Sequence, residues 1–137
     1  MGAMARVWRP LLAGLLAVHG LIHVMGFAAT WHIGSLNAIS STPSLGGSAA
    51  SSVSMLLGVV WLAIALGFVV AAFGLVTRRP WWEGLVAGAA VLSLALCTLW
   101  WKDAPFGIVI DVLLVLGLIV VHWLPTGHPS RRPVEVR

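Results

Sequence analysis

The chain has 137 residues, of which 60% are hydrophobic and 9% charged. Soluble domains carry about 25% charged residues, so these proportions exclude an ordinary water-soluble fold and leave a single domain of apolar helices in lipid, each needing about 20 residues to cross. The formal charge of +4 lies in short clusters between apolar stretches, which marks topology and excludes a phosphate-binding surface for nucleic acid.

Four apolar stretches, residues 11–29, 53–76, 81–101 and 106–124, predict four spans. In lipid each segment must pair its own backbone donors and acceptors, so stretches of this length form helices. The alternation of a membrane strand is absent. The expected fold is all-α, a four-transmembrane-helix bundle over residues 1–124, with both termini cytoplasmic. A tail at 125–137, with three prolines and alternating charge, is expected to be disordered in the cytoplasm.

Arg6 and Arg9 precede the first span, which carries His19, His23 and Gly26 on one face, because positions one turn apart are neighbours on a helix. The same beginning also reads as a signal peptide cleaved near Gly26 and Ala28, which would leave three spans. Its apolar region exceeds the about 7–15 residues of a signal core and holds two histidines, which favours a retained helix. The connection 30–52 is rich in Ser and Gly, has no Lys or Arg, and is long enough to form a lid over the outer ends or to bind a partner. The second span contains Trp61, and the turn Thr77, Arg78, Arg79, Pro80 leads into the third, where Glu83 lies at the inner boundary and Ser93 and Cys97 continue its face outward. Cys97 has no second cysteine to pair with and reads as a small packing residue. Gly58, Gly67, Gly74, Gly84 and Gly88 read as positions of close helix approach. Asp111 lies near the outer end of the fourth span and His122 at its inner end.

Positive residues stay on the cytoplasmic side. With the N-terminus inside, that side collects Arg6, Arg9, Arg78, Arg79, Arg131, Arg132 and Arg137 and leaves Lys102 outside. Tryptophans favour the headgroup level; Trp8, Trp81, Trp82 and Trp123 then mark the inner boundary, and Trp31, Trp100 and Trp101 the outer.

Polar groups at bilayer depth are costly, by about 2.5–3.5 kcal/mol for Asp on an insertion scale, so they face the bundle interior and find partners. At about 1.5 Å per residue, His23 and Asp111 both lie roughly 8–9 Å below the outer ends of their spans. A His23–Asp111 contact is therefore expected between the first and last helices, and a Glu83–His122 contact at the inner boundary.

The stretches HGLIHVMGF, from His19 to Phe27, and WKDAPFG, from Trp101 to Gly107, together resemble the two signatures of a family of small bacterial four-span integral membrane proteins to which no activity is assigned. The resemblance covers most of the folded chain and implies a multi-pass protein of the bacterial plasma (inner) membrane. That family's pattern has Lys at the position of Pro105 and Asn at that of Asp111, which implies that Asp111 serves as a hydrogen-bond partner rather than as an obligatory ligand or proton carrier.

Three functions fit these residues. The leading one is a non-enzymatic accessory or interaction subunit, held together by a buried His/Asp cluster, with the lipid bilayer and a membrane-protein partner or second copy as its surroundings. A second is a transition-metal or haem binder, in which His19 and His23, one turn apart, join Asp111 from another helix as ligands. For haem the geometry is worse, because adjacent histidines on one helix do not readily reach opposite faces of one macrocycle. No cofactor is required by the sequence. A third is a proton or ion transport component working through His23 and Asp111. Nothing resembles a nucleophile elbow, phosphate loop, nucleotide fingerprint or catalytic carboxylate pair, so no catalytic residue is assigned.

Overall fold

The computed structural model describes the backbone of residues 2–34, 39–41, 43–44 and 51–123, and side chains at 7–34, 39–41, 43–44 and 52–121. Four helices follow in order: α1 Gly2–Thr30, α2 Ser51–Val76, α3 Trp82–Leu99 and α4 Pro105–Trp123. No strand occurs among the described residues. The expected tail at 125–137 and much of the 30–52 connection lie outside them.

The helices follow the apolar stretches and differ from them at the ends for local reasons. α1 begins at Gly2, well before the apolar stretch that starts at residue 11, and continues through Pro10, because hydropathy marks where lipid begins and not where helical hydrogen bonding begins. α3 stops at Leu99, where the Trp100 N–H divides between the carbonyls of Leu96 and Cys97, at 3.3 and 3.1 Å, and the chain turns through Trp101, Lys102 and Asp103 into α4. Stretches of α1, α2 and α3 are each long and apolar enough to cross a membrane, and Pro105–Val121 of α4 is a shorter apolar helix. The 19 residues of α4 rise about 28 Å, close to the about 30 Å of a hydrocarbon core. The outer surface of the bundle is apolar on every helix, with Leu11, Leu56, Val91 and Phe106 exposed, as expected where lipid is the solvent.

α1 ends against the start of α2, where Gly58 lies beside Thr30 and Trp31. Further along, Gly20 backs onto the Ala65 carbonyl and Gly26 onto the Trp61 ring. A Cβ at Gly26 would lie 2.4 Å from that ring, so the glycine permits the approach of the two helices. Gly74 and Gly67 serve the α2–α3 contact in the same way, against Trp81 and Ala89. Gly84 and Gly88 differ from the sequence reading: nothing stands within 4 Å of a Cβ at either, so neither is a packing site.

Close backbone packing runs from α1 to α2, α2 to α3 and α3 to α4, without a comparable α1–α4 contact. The bundle is thus an up-and-down series of hairpins with an open seam between its first and last helices. Its core joins Leu16 of α1, Trp61, Phe68 and Leu75 of α2, and Val86, Leu96 and Trp100 at the α3 side. Trp100 corrects its reading as an outer anchor: it is fully buried, packs edge-on against Trp61 at 5.8 Å, and its Nε1 donates to the Ser40 carbonyl at 2.9 Å. Trp31 and Trp101 are exposed at that end, and Trp8 and Trp81 at the other. The side chain of Trp123 lies outside the described set.

Candidate functional site

The polar residues singled out in the apolar spans converge midway along the seam. His19 and His23 of α1 are 2% and 1% exposed, and Ser93 of α3 and Asp111 of α4 are fully buried. Each faces inward because its helix carries lipid-facing residues on the opposite side and no water is present there to solvate a polar group.

The ring of His23 is oriented by its own helix. Nδ1 donates to the His19 carbonyl one turn back, at 2.8 Å, and this turns Nε2 toward α3, where it lies 2.6 Å from Ser93 Oγ. His19 Nδ1 has no partner among the described residues, and its Nε2 reaches across the seam to Asp111 Oδ1 at 2.9 Å. Ser93 Oγ is 2.5 Å from Asp111 Oδ2. Asp111 therefore bonds His19 directly and reaches His23 through Ser93, whereas the depth count had paired it with His23. The count placed the residues at one level but carried no information on ring rotation, which the carbonyl one turn back decides. From α2, Phe68 packs on His19 with ring centres 4.8 Å apart, and Trp61 on His23 at 5.1 Å, so the fourth wall is aromatic. Cys97 Sγ is 3.8 Å from Ser93 Oγ and lies beside Gly107.

Glu83 is half-buried near the far end of α3. Its expected contact with His122 falls on a side chain outside the described set. Among the described residues no group of three or more His, Cys, Asp or Glu is arranged to hold a metal ion; the Nε2 atoms of His19 and His23 already face Asp111 and Ser93.

Two cavities flank the network. On the Lys102 side a cavity of about 250 Å³ is lined by His19, His23, Trp61, Cys97 and Asp103 among others. Ile39 of the long connection is one of its walls. That connection is tied down where it is described: the Ser40 N–H donates to Asp103 Oδ2 at 3.1 Å, joined by the Ser40 hydroxyl, and the Ser44 N–H donates to the Leu99 carbonyl at 2.8 Å. The described part of the connection is thus bonded to Asp103 in the α3–α4 turn and to the last residue of α3. Asp103 was not singled out in the sequence, although it stands inside the WKDAPFG stretch. On the arginine side a larger apolar cleft of about 770 Å³ follows the seam. Ile110 borders both cavities, beside Asp111, so the His19–Asp111 bridge stands between them.

Hydrogen counting limits the chemistry of the network. A backbone carbonyl only accepts, so His23 Nδ1 carries a hydrogen, and each of the other three bonds needs one more. Two neutral imidazoles, one hydroxyl and an ionised carboxylate supply three hydrogens for four bonds. A further proton completes the set in either of two ways. On Asp111 it donates to Ser93, which donates to His23; on His23 it donates to Ser93, which donates to Asp111. Both arrangements have zero net charge, but the second buries an imidazolium and a carboxylate on either side of Ser93, so a low-dielectric site favours the first; moving two protons through Ser93 interconverts them.

No family model, curated protein or solved structure matches the chain, and the site stands on its geometry.

Proposed function

We propose that this chain is a non-enzymatic accessory subunit of a larger assembly in the inner membrane of a bacterium, with both termini and the Arg78–Arg79 turn in the cytoplasm. The observation that carries the reading is the use of the buried polar atoms: the bonds from His19, His23, Ser93 and Asp111 run from α1 to α4, α1 to α3 and α3 to α4. Such interhelical bonds in lipid contribute about 0.6 kcal/mol on average, enough to choose which helices meet. The arginine distribution supports the orientation. Tagged protein extracted in mild detergent is expected to bring larger membrane subunits with it at stoichiometric yield; recovery of the lone chain, under conditions that preserve known membrane complexes, would reject the role.

The proton count favours a second reading, in which the network exchanges a proton with the Lys102 side through the smaller cavity. Among the described residues the apolar cleft carries charged side chains only at its mouth, Arg9 and Glu83, which leaves no polar route from the network to the arginine side. Proteoliposomes containing a pH-sensitive dye are then expected to show no steady proton flux, and a flux abolished by both His23→Ala and Asp111→Asn would instead establish transport.

A further inference from the structure

The cleft on the arginine side has the dimensions of one leaflet. Its lining runs from Trp8 to Leu16 on α1 and from Ile110 to Val121 on α4, about 12 and 16 Å along the helix axes, against about 15 Å for half a hydrocarbon core. Its walls are aliphatic for most of this length, and the charged lining residues, Arg9 and Glu83, lie at the arginine end with Trp8 and Trp82. The opposite end closes just short of the His19–Asp111 bridge.

Charge at the mouth selects among amphiphiles. Arg9 lies inside the rim, its guanidinium 5.6 Å from the centre of the Trp8 ring. Arg78 and Arg79 are exposed on the turn between Leu75 and Trp82, which both line the cleft. Among the described residues the mouth itself carries one cation, Arg9, and one carboxylate, Glu83, and the adjoining turn adds two exposed cations. Going beyond the accessory role, we propose that the α1–α4 cleft binds one acyl chain of an anionic phospholipid from the arginine-side leaflet, with its phosphate held at Arg9.

Gly117 supplies the test, because it lines the cleft and nothing stands within 4 Å of a Cβ built there. The full chain is reconstituted in vesicles of equal parts phosphatidylglycerol and phosphatidylcholine and extracted in mild detergent, and lipid retained per chain is counted by native mass spectrometry. One phosphatidylglycerol per chain is expected. Gly117→Trp should lower its occupancy at least tenfold, and Leu113→Trp, which fills the cleft from an exposed position, serves as the second blocking variant if the first does not fold. Arg9→Gln should keep a lipid but lose the preference for the anionic headgroup. Equal retention by wild type and a folded blocking variant would overturn the proposal, as would equal retention of the two lipids by wild type. So would blocking variants that dissociate a second copy or a co-purifying protein while leaving the lipid count unchanged, since the cleft would then belong to a protein helix. These readings hold whether or not larger subunits co-purify.

Discussion

Asp111 is the residue on which the buried network turns, since its two oxygens meet different helices, Oδ1 through His19 and Oδ2 through Ser93. A carboxamide offers the acceptor and the donor that a protonated carboxyl offers, with one N–H left over. Asp111→Asn is therefore expected to remain within about 1 kcal/mol of wild type, while Asp111→Ala strands buried polar groups on both neighbours and should cost about 1–3 kcal/mol. Unfolding in mixed micelles measures both, and an Asn variant as unstable as the Ala variant would show that the site needs a charge. The residue types of this network were legible in the sequence, because His19, His23, Ser93 and Asp111 are costly at bilayer depth. Their pairing was not. Depth along a helix can be counted, but the rotation of an imidazole depends on a carbonyl 2.8 Å away, and that choice moved Asp111 from His23 to His19.

At the scale of elements, the glycines divide sharply. Gly26→Ala pushes a methyl into the Trp61 ring and should cost about 1–3 kcal/mol, the usual range for overpacking. Gly84→Ala and Gly88→Ala enter open space and should gain up to about 1 kcal/mol each from helix propensity; a cost at either would mean that a neighbour occupies it. Composition could not separate these positions, because a glycine in an apolar helix looks the same whether a tryptophan or nothing stands opposite. The ends of α1 and α2 share another feature. Each closes with a paired set of bonds, Ile33 N–H to the Ala28 carbonyl with His32 N–H to Ala29, and Arg79 N–H to Gly74 with Arg78 N–H to Leu75. This closure needs a left-handed residue, usually glycine, and here His32 and Arg78 take it with φ of 54° and 57°. His32→Gly should accordingly raise stability by about 1 kcal/mol, read from the same unfolding curves.

At the scale of the whole molecule, the four apolar stretches forecast the number and order of helices because lipid leaves a long segment little alternative to helix. The open seam was not legible, since an apolar surface facing lipid and one facing another helix have the same composition. The proposed orientation is testable with cysteines. Cys97 is buried and should remain unlabelled by a membrane-impermeant maleimide in intact cells, Lys102→Cys should label, and Arg78→Cys should label only after the membrane is opened; the reverse pattern would invert the molecule. The seam also bears on biogenesis. Successive hairpins join neighbours in sequence and can form as the ribosome delivers them, whereas the His19–Asp111 bond spans 92 residues and must wait for α4. Until that last segment inserts, His19 of the first helix lacks its carboxyl partner, while His23 already has Ser93 of α3. A nascent chain halted after α3 would then hold the His19 imidazole unmatched in the bilayer, the kind of exposed defect by which quality-control machinery distinguishes an unfinished membrane protein from a finished one.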